Sequence, residues 1–193
     1  MRQSLKNPNL RLTKTRKLVL SSLFMALGIV LPSLTGAIKE IGDSLLPLHL
    51  VVMLCGVICG WQYGLCIGAV LPLFRAVFFG MPPLYPNAVW MCLELATYGF
   101  TIGFLYSLRK KYSRGYLFLC LTSSMLAGRI VWGIAKAILL GVADKPFGLN
   151  AFLVGGFLDA IPGLVIQFVL IPLLVELLER SHRKSETVPP SES

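Results

Sequence analysis

Apolar segments long enough to cross a membrane dominate the chain and leave little freedom in its fold. They cover residues 18–34, 45–79, 87–108, 116–142 and 150–178, and only short connections separate them. A helix needs about 20 predominantly apolar residues to cross a bilayer. The sequence therefore predicts an all-α membrane protein.

The segment 45–79 is far longer than one crossing requires. Residues 60–64, with the sequence GWQYG, are polar, aromatic and flanked by glycine, which favours a turn at a membrane surface. The segment is therefore predicted to form two helices, 45–60 and 62–79. The whole chain then forms one compact bundle of six transmembrane helices.

Composition supports this class. Of the 193 residues, 55% are hydrophobic and 14% are charged, whereas about 25% of the residues of a typical soluble domain are charged. The net charge of +9 collects at segment ends and not along a helix face with interleaved aromatic residues. Membrane lipid is therefore a predicted partner, and nucleic acid is not.

Basic residues also predict the orientation. Six lie in the N-terminal tail, four follow the fourth span and three lie near the C-terminus, whereas the opposite loops hold only Lys39 and Lys145. The positive-inside rule places both termini in the cytoplasm. The predicted domains are a basic cytoplasmic N-terminal tail (1–17), a six-helix transmembrane domain (18–180) and a disordered cytoplasmic C-terminal tail (181–193). No A-x-A cleavage site follows the first span, so it is predicted to be a retained helix and not a signal peptide.

Polar and charged residues interrupt the predicted spans. Ionisable groups at membrane depth are costly, so they usually pair with one another or line a substrate path. Counting along the helices places the ionisable ones in the outer half or near the middle of the membrane. The candidate site for a small molecule consists of His49, Arg75, Asn87, Trp90, Glu94, Tyr98, Arg129, Trp132, Lys136 and Asp159.

The charges in this set predict a preference for an anion. Arg129 and Lys136 are seven residues apart and share one helix face. Pairing Glu94 and Asp159 with two of the three cations leaves one cation for a carboxylate or phosphate of a ligand. The alternative is that Arg75–Glu94 and Asp159–Lys136 are only structural ion pairs that fasten the bundle.

Catalytic and metal motifs are not found in the sequence. It contains no H-E-x-x-H, G-x-S-x-G or phosphate-loop motif, so neither enzyme activity nor ATP hydrolysis is predicted. Its five cysteines lie inside apolar segments, without a CxxC pair or a Cys/His cluster. The prediction is therefore no catalytic residue, no metal and no cofactor.

Ser22 and Ala26 form a small-xxx-small pair in the first span. This spacing allows two helix backbones to approach closely. Two interpretations stay open: the pair docks another membrane protein, or it packs against helices of this chain.

Together these features resemble the substrate-binding S component of energy-coupling factor (ECF) vitamin transporters. The resemblance covers about residues 18–178 and includes the run LHLVVMLCGVICG at 48–60, Tyr63-Gly64 and the turn GMPP at 80–83. It implies a receptor in a bacterial plasma membrane that captures a vitamin or precursor from outside. It also implies three partners, a transmembrane coupling subunit and two cytoplasmic ATPases.

The resemblance also implies where these functions lie. The family contacts its coupling subunit through an AxxxA pattern on the first helix, which Ser22 and Ala26 match in part. Its pocket lies in the outer half of helices four to six, with the connections 35–44 and 80–86 as a lid. A net cationic pocket favours an acidic ligand such as pantothenate over thiamin, and pyridoxine, hydroxymethylpyrimidine and a cobalamin precursor stay open.

Two other classes of function stay open. A stand-alone channel or secondary transporter would be expected to show an inverted repeat, and no repeat is seen. A small membrane enzyme would need paired acid and base groups, for which Glu94 and Asp159 are the carboxylate candidates.

Overall fold

The computed structural model describes residues 12–35, 47–109, 113–142, 148, 154–155 and 161–186. Every regular element among these residues is helical. A π-helical turn at Leu84–Ala88 precedes the fourth helix. The described residues form six α-helices, which are α1 (Lys14–Thr35), α2 (Pro47–Cys59), α3 (Trp61–Phe79), α4 (Val89–Ser107), α5 (Arg114–Val142) and α6 (Ile161–Glu186).

In the part of the chain that the structure describes, four helical stretches are long and apolar enough to cross a membrane: Lys14–Ser33, Trp61–Phe79, Leu84–Ser107 and Arg114–Gly141. Their outward faces carry many exposed large apolar side chains, as a lipid-facing surface requires. The prediction of an all-helical membrane protein is confirmed for the described part of the chain.

The central helix is α2. Its 13 residues span about 20 Å, less than the apolar core of a bilayer, which is about 30 Å thick. Every residue of α2 except Leu50 is buried, because α1, α3, α4 and α6 pack around it. An apolar helix enclosed in this way needs no lipid-facing surface of its own.

The chain reverses between α2 and α3 at Gly60. Its φ of 110° lies in the region that glycine adopts without steric cost. The prediction of two helices separated by a turn here is confirmed.

The crossing of α3 and α4 brings two backbones into contact. A Cβ atom added to Gly99 would lie 2.2 Å from the carbonyl oxygen of Gly64, and one added to Gly68 would lie 2.4 Å from the carbonyl oxygen of Leu95. Only residues without a side chain allow such an approach. The contact fixes α4 against α3 and so positions the polar residues on α4.

The last helix continues beyond its predicted C-terminal end. Its described part begins at Ile161, with Pro162 in the first turn, where a missing N–H is tolerated. Of residues 150–160, only 154–155 are described, and they are helical. Residues 181–186, predicted to belong to a disordered tail, continue α6 because Glu, Arg, His and Lys there are compatible with a helix.

Several predicted features lie outside the described residues. They are the first eleven residues of the N-terminal tail, most of the connection 35–44, the last seven residues of the chain and Asp159.

Candidate functional site

One face of α4 carries a line of buried polar and aromatic side chains. Trp90, Glu94 and Tyr98 follow one another at four-residue intervals, so they lie on the same side of the helix. Glu94 is only 2% exposed. Asn87, in the π-helical turn ahead of α4, is half-buried. The face points into the bundle, away from lipid.

A matching line lies on α5. Arg129 and Trp132 are buried and Lys136 is half-buried, and the intervals of three and four residues place all three on one face. The ring of Tyr98 on α4 covers Gly128, where an added Cβ would lie 2.7 Å from the ring. The two lines therefore face each other across the contact between α4 and α5.

The centre of the site is the carboxylate of Glu94. Its Oε1 accepts a hydrogen bond of 3.0 Å from Nη1 of Arg129. Nε2 of His49, on α2, lies 3.3 Å from the same oxygen, and the imidazole packs edge-on against Tyr98 at 5.2 Å between centroids. Side chains of three helices thus meet at one buried oxygen atom.

Several buried polar atoms around this oxygen have no hydrogen-bond partner among the described residues. They are Nε and Nη2 of Arg129 and Nδ1 of His49, and both residues are buried. A buried donor without a partner costs about 1–3 kcal/mol. The Nε and Nη2 atoms form one edge of the guanidinium, the geometry that binds a carboxylate through two hydrogen bonds. The arrangement can therefore bind an acceptor group of a ligand.

The indoles of Trp90 and Trp132 line the part of the site nearer the N-terminal end of α4 and the C-terminal end of α5. Nζ of Lys136 lies 5.4 Å from the ring centroid of Trp90 and 4.6 Å from that of Trp132. Both distances allow a cation–π interaction. The turn at 154–155 lies beside them, since a Cβ on Gly155 would be 3.5 Å from Trp132. The lysine is thus held between flat apolar surfaces.

The structure brings most of the predicted site residues together. The contacts above connect α2, α4 and α5 through a continuous set of side chains, which we call the Glu94 cluster. Its members are His49, Trp90, Glu94, Tyr98, Arg129, Trp132 and Lys136.

Arg75 does not join this cluster, and the alternative that pairs it with Glu94 does not match its contacts. Nη1 of Arg75 donates to the carbonyl oxygen of Ile29 and, at 3.4 Å, to Oγ of Ser33, both on α1. The reason is the rotation of α3, which turns Arg75 toward α1, whereas Glu94 faces α2 and α5. The other structural pair considered, Asp159 with Lys136, involves a residue outside the described part of the chain.

Gln167 is a buried polar residue that the candidate set did not include. It lies on α6, it is 1% exposed, and its Nε2 has no hydrogen-bond partner among the described residues. An amide within an apolar helix was the signal in the sequence. Its burial makes it a further residue that could bind a ligand or an ordered water.

Ser22 and Ala26 lie on the exposed face of α1. The hydroxyl of Ser22 donates to the carbonyl oxygen of Leu18 at 3.0 Å, within the same helix. A shallow groove of about 300 Å³ lies beside Ser22, between α1 and α3. The interpretation that this pair packs against helices of the same chain is therefore not supported by the described residues.

Comparison with known proteins supports a transport function for this bundle. The model of a family described as ECF transporter, substrate-specific component, matches residues 16–175. This range includes nearly all of α1, the entire Glu94 cluster and the first half of α6. No curated protein and no solved structure matches the chain. Because the family model covers most of the sequence, the chain belongs to the substrate-specific components of ECF transporters, which are membrane transport subunits.

Proposed function

We propose that this protein binds a vitamin or vitamin precursor outside the cell and delivers it for ATP-driven uptake by partner subunits. The observation that carries the proposal is the Glu94 cluster, in which two buried donors of Arg129 and a buried ring nitrogen of His49 have no partner among the described residues. A purely structural ion pair would be expected to satisfy its own donors. Membership of the family supplies the transport context.

In this proposal all six helices cross the membrane, with both termini in the cytoplasm. The two shorter apolar helices, Pro47–Cys59 and Ile161–Leu177, would be the fifth and sixth crossings beside the four long spans. The basic residues of the N-terminal tail, the connection after α4 and the C-terminal segment then share the cytoplasmic side. Glu94 lies in the second turn of α4 and His49 in the first turn of α2. With the proposed orientation, the cluster is toward the outside.

The charges and spacing of α5 favour an acidic ligand. Arg129 and Lys136 are separated by seven residues, about 10 Å along the helix, and the indole of Trp132 lies between them. A ligand that carries a carboxylate could bind the Nε–Nη2 edge of Arg129 and rest its body on the two indoles. Pantothenate has this character, and we favour it over cationic thiamin.

The test is purification in mild detergent followed by mass spectrometry of the released small molecules. We expect one vitamin-like acid, chemically unchanged after incubation with the protein. Titration of the emptied protein with pantothenate, thiamin, pyridoxine and hydroxymethylpyrimidine then ranks the candidates. Conversion of the ligand would indicate an enzyme instead, and ion flux through the protein alone in liposomes would indicate a channel.

The proposed partners are a transmembrane coupling subunit and two ATPases, with docking at Ser22 and Ala26 on α1. Leucine at either position is expected to leave ligand affinity unchanged and to reduce ATP-dependent uptake. A loss of about 1.4 kcal/mol in docking is enough for a tenfold decrease in complex formation. Uptake of radiolabelled ligand by cells that express all subunits measures the effect.

A matched control for this prediction is Leu27→Phe. Leu27 is also exposed on α1, but it points about 100° away from Ala26. The control variant should transport normally. Normal uptake by Ser22→Leu and Ala26→Leu, with normal amounts of protein in the membrane, would show that the partner docks elsewhere.

A further inference from the structure

Arg75 is a buried charge that the substrate site does not use. It lies on α3 and is 7% exposed. A charged side chain at membrane depth needs a compensating partner. Among the described residues, no carboxylate pairs with it, because Glu94 binds Arg129 and His49 and Glu176 binds Arg114.

The partner of Arg75 is instead the backbone of α1. Its Nη1 donates to the carbonyl oxygen of Ile29, which also accepts a hydrogen bond of 3.2 Å from Oγ of Ser33. The guanidinium carbon lies 5.4 Å from the ring centroid of Phe79, one turn further along α3. The side chain therefore links the C-terminal part of α3 to one turn of α1.

The contacted turn of α1 lies beside Pro32, which is inside the helix. A proline has no N–H to donate to the residue four positions earlier, and its ring crowds that carbonyl, so a helix is weakest there. A guanidinium donor from a neighbouring helix provides hydrogen bonding next to that weak point. Arg75 thus stabilises the turn and fixes its position at the same time.

The rest of α1 is less enclosed than the other long helices. Only 11% of its apolar span is buried, compared with 39% for Trp61–Phe79 and 50% for Arg114–Gly141. Its close contact with α3 occurs at Gly28, which packs against Leu71. The bond from Arg75 therefore adds a directional polar contact to the apolar packing of a helix that has little fully buried surface.

We propose that Arg75 is a positioning residue for α1 and not a ligand for the substrate. By holding α1 against α3, it sets the orientation in which the exposed Ser22 and Ala26 meet a coupling subunit. The proposal rests on the proposed docking function of α1. It makes Arg75 important for transport and unimportant for substrate affinity.

The test compares Arg75→Met with Arg75→Lys. Methionine fills the space but cannot donate, whereas the ammonium of lysine can donate to the Ile29 carbonyl. We expect Arg75→Met to change ligand affinity by no more than about twofold and to lower ATP-dependent uptake at least about tenfold. Arg75→Lys should restore most of the uptake. Ser33→Ala, which removes only the 3.4 Å contact, is the matched control and should transport nearly normally.

A second measurement reads the position of α1 directly. Spin labels at Leu23→Cys on α1 and Val77→Cys on α3, both exposed positions, report their distance in a Cys66→Ser background. We expect a narrow distribution for wild-type Arg75 and for Arg75→Lys, and a broadened or shifted one for Arg75→Met. If Arg75→Met does not accumulate in the membrane, Arg75→Gln provides the same comparison with a side chain too short to reach α1.

The outcomes separate this proposal from the proposed function. Loss of ligand affinity by tenfold or more in Arg75→Met, with an unchanged α1–α3 distance, would place Arg75 in the substrate site and overturn the inference. Unchanged ATP-dependent uptake by Arg75→Met would overturn the inference as well. If wild-type protein neither binds a vitamin nor supports uptake, the proposed function fails, while the distance measurement still tests whether Arg75 positions α1.

Discussion

Replacing either Arg129 or Glu94 with alanine is expected to abolish substrate binding in a protein that still inserts into the membrane. Each change leaves the other member of the pair charged and buried, which lowers the stability of the folded protein by about 3–5 kcal/mol. It also removes one of the groups proposed to contact the ligand. Truncating one partner of a buried, hydrogen-bonded charge pair in a binding site costs about 2–5 kcal/mol of binding free energy, which corresponds to a decrease in affinity of about 30- to 5,000-fold. Isothermal titration of purified variants with the ligand found by mass spectrometry measures it.

The control for this prediction is the other ion pair of the described residues. Arg114 and Glu176 form a contact in which the arginine is largely exposed. Exposed pairs contribute about 0–1 kcal/mol, so Arg114→Ala should bind ligand normally.

A double variant separates a binding role from a structural one. Arg129→Met combined with Glu94→Met removes both charges and should recover thermal stability relative to the single variants. We expect it to remain unable to bind ligand. Unchanged affinity in both single alanine variants would show that the Glu94 cluster only fastens the helices.

Replacing Gly99 with leucine is expected to prevent formation of the native bundle. The first side-chain atom would lie 2.2 Å from the Gly64 carbonyl oxygen, well inside van der Waals contact. Overpacking a core costs about 1–3 kcal/mol when side chains can move aside. Here the obstacle is backbone, so α3 and α4 must separate, and the Glu94 cluster would separate with them.

Fluorescence-detected gel filtration and thermal melting in detergent measure this loss. We expect aggregated or absent protein for Gly99→Leu. The matched control is Gly115→Leu, since a Cβ at Gly115 meets no atom within 4 Å. A Gly99→Leu protein that melts like the wild type would contradict the close crossing of α3 and α4.

Much of the fold could be predicted because membrane helices have a simple sequence signature. Apolar length identified the helices, and the glycine at residue 60 identified the turn between α2 and α3. Helical periodicity placed Arg129 and Lys136 on one face of α5, whereas the structure revealed the two facing lines of the site. Residues 90, 94 and 98 share one face of α4, and residues 129, 132 and 136 share one face of α5.

The partner of Arg75 could not be predicted in the same way. Pairing residues by opposite charge assumes that a cation seeks a carboxylate, but the acceptor here is a backbone carbonyl, which every residue carries. The choice depends on how α3 is rotated against α1, and glycine contacts such as Gly28 with Leu71 decide this rotation. Such contacts depend on three-dimensional packing that periodicity does not specify.

His49 could be included in the candidate site from the sequence, but its contact with Glu94 could not be predicted. A lone histidine in an apolar helix is compatible with many buried environments. Only the central position of α2, enclosed by its neighbours, brings the imidazole within 3.3 Å of Glu94.

The pairing of Glu94 with Arg129 has a consequence for biosynthesis. The two residues are 35 positions apart, so the carboxylate leaves the ribosome before its counterion does. Passing a lone charge into lipid costs about 2.5–3.5 kcal/mol on insertion scales. The connection between α4 and α5 is only a few residues long. The two helices can therefore be present at the insertion machinery at the same time, with Glu94 already paired to Arg129. We therefore expect these two helices to enter the bilayer as one hairpin.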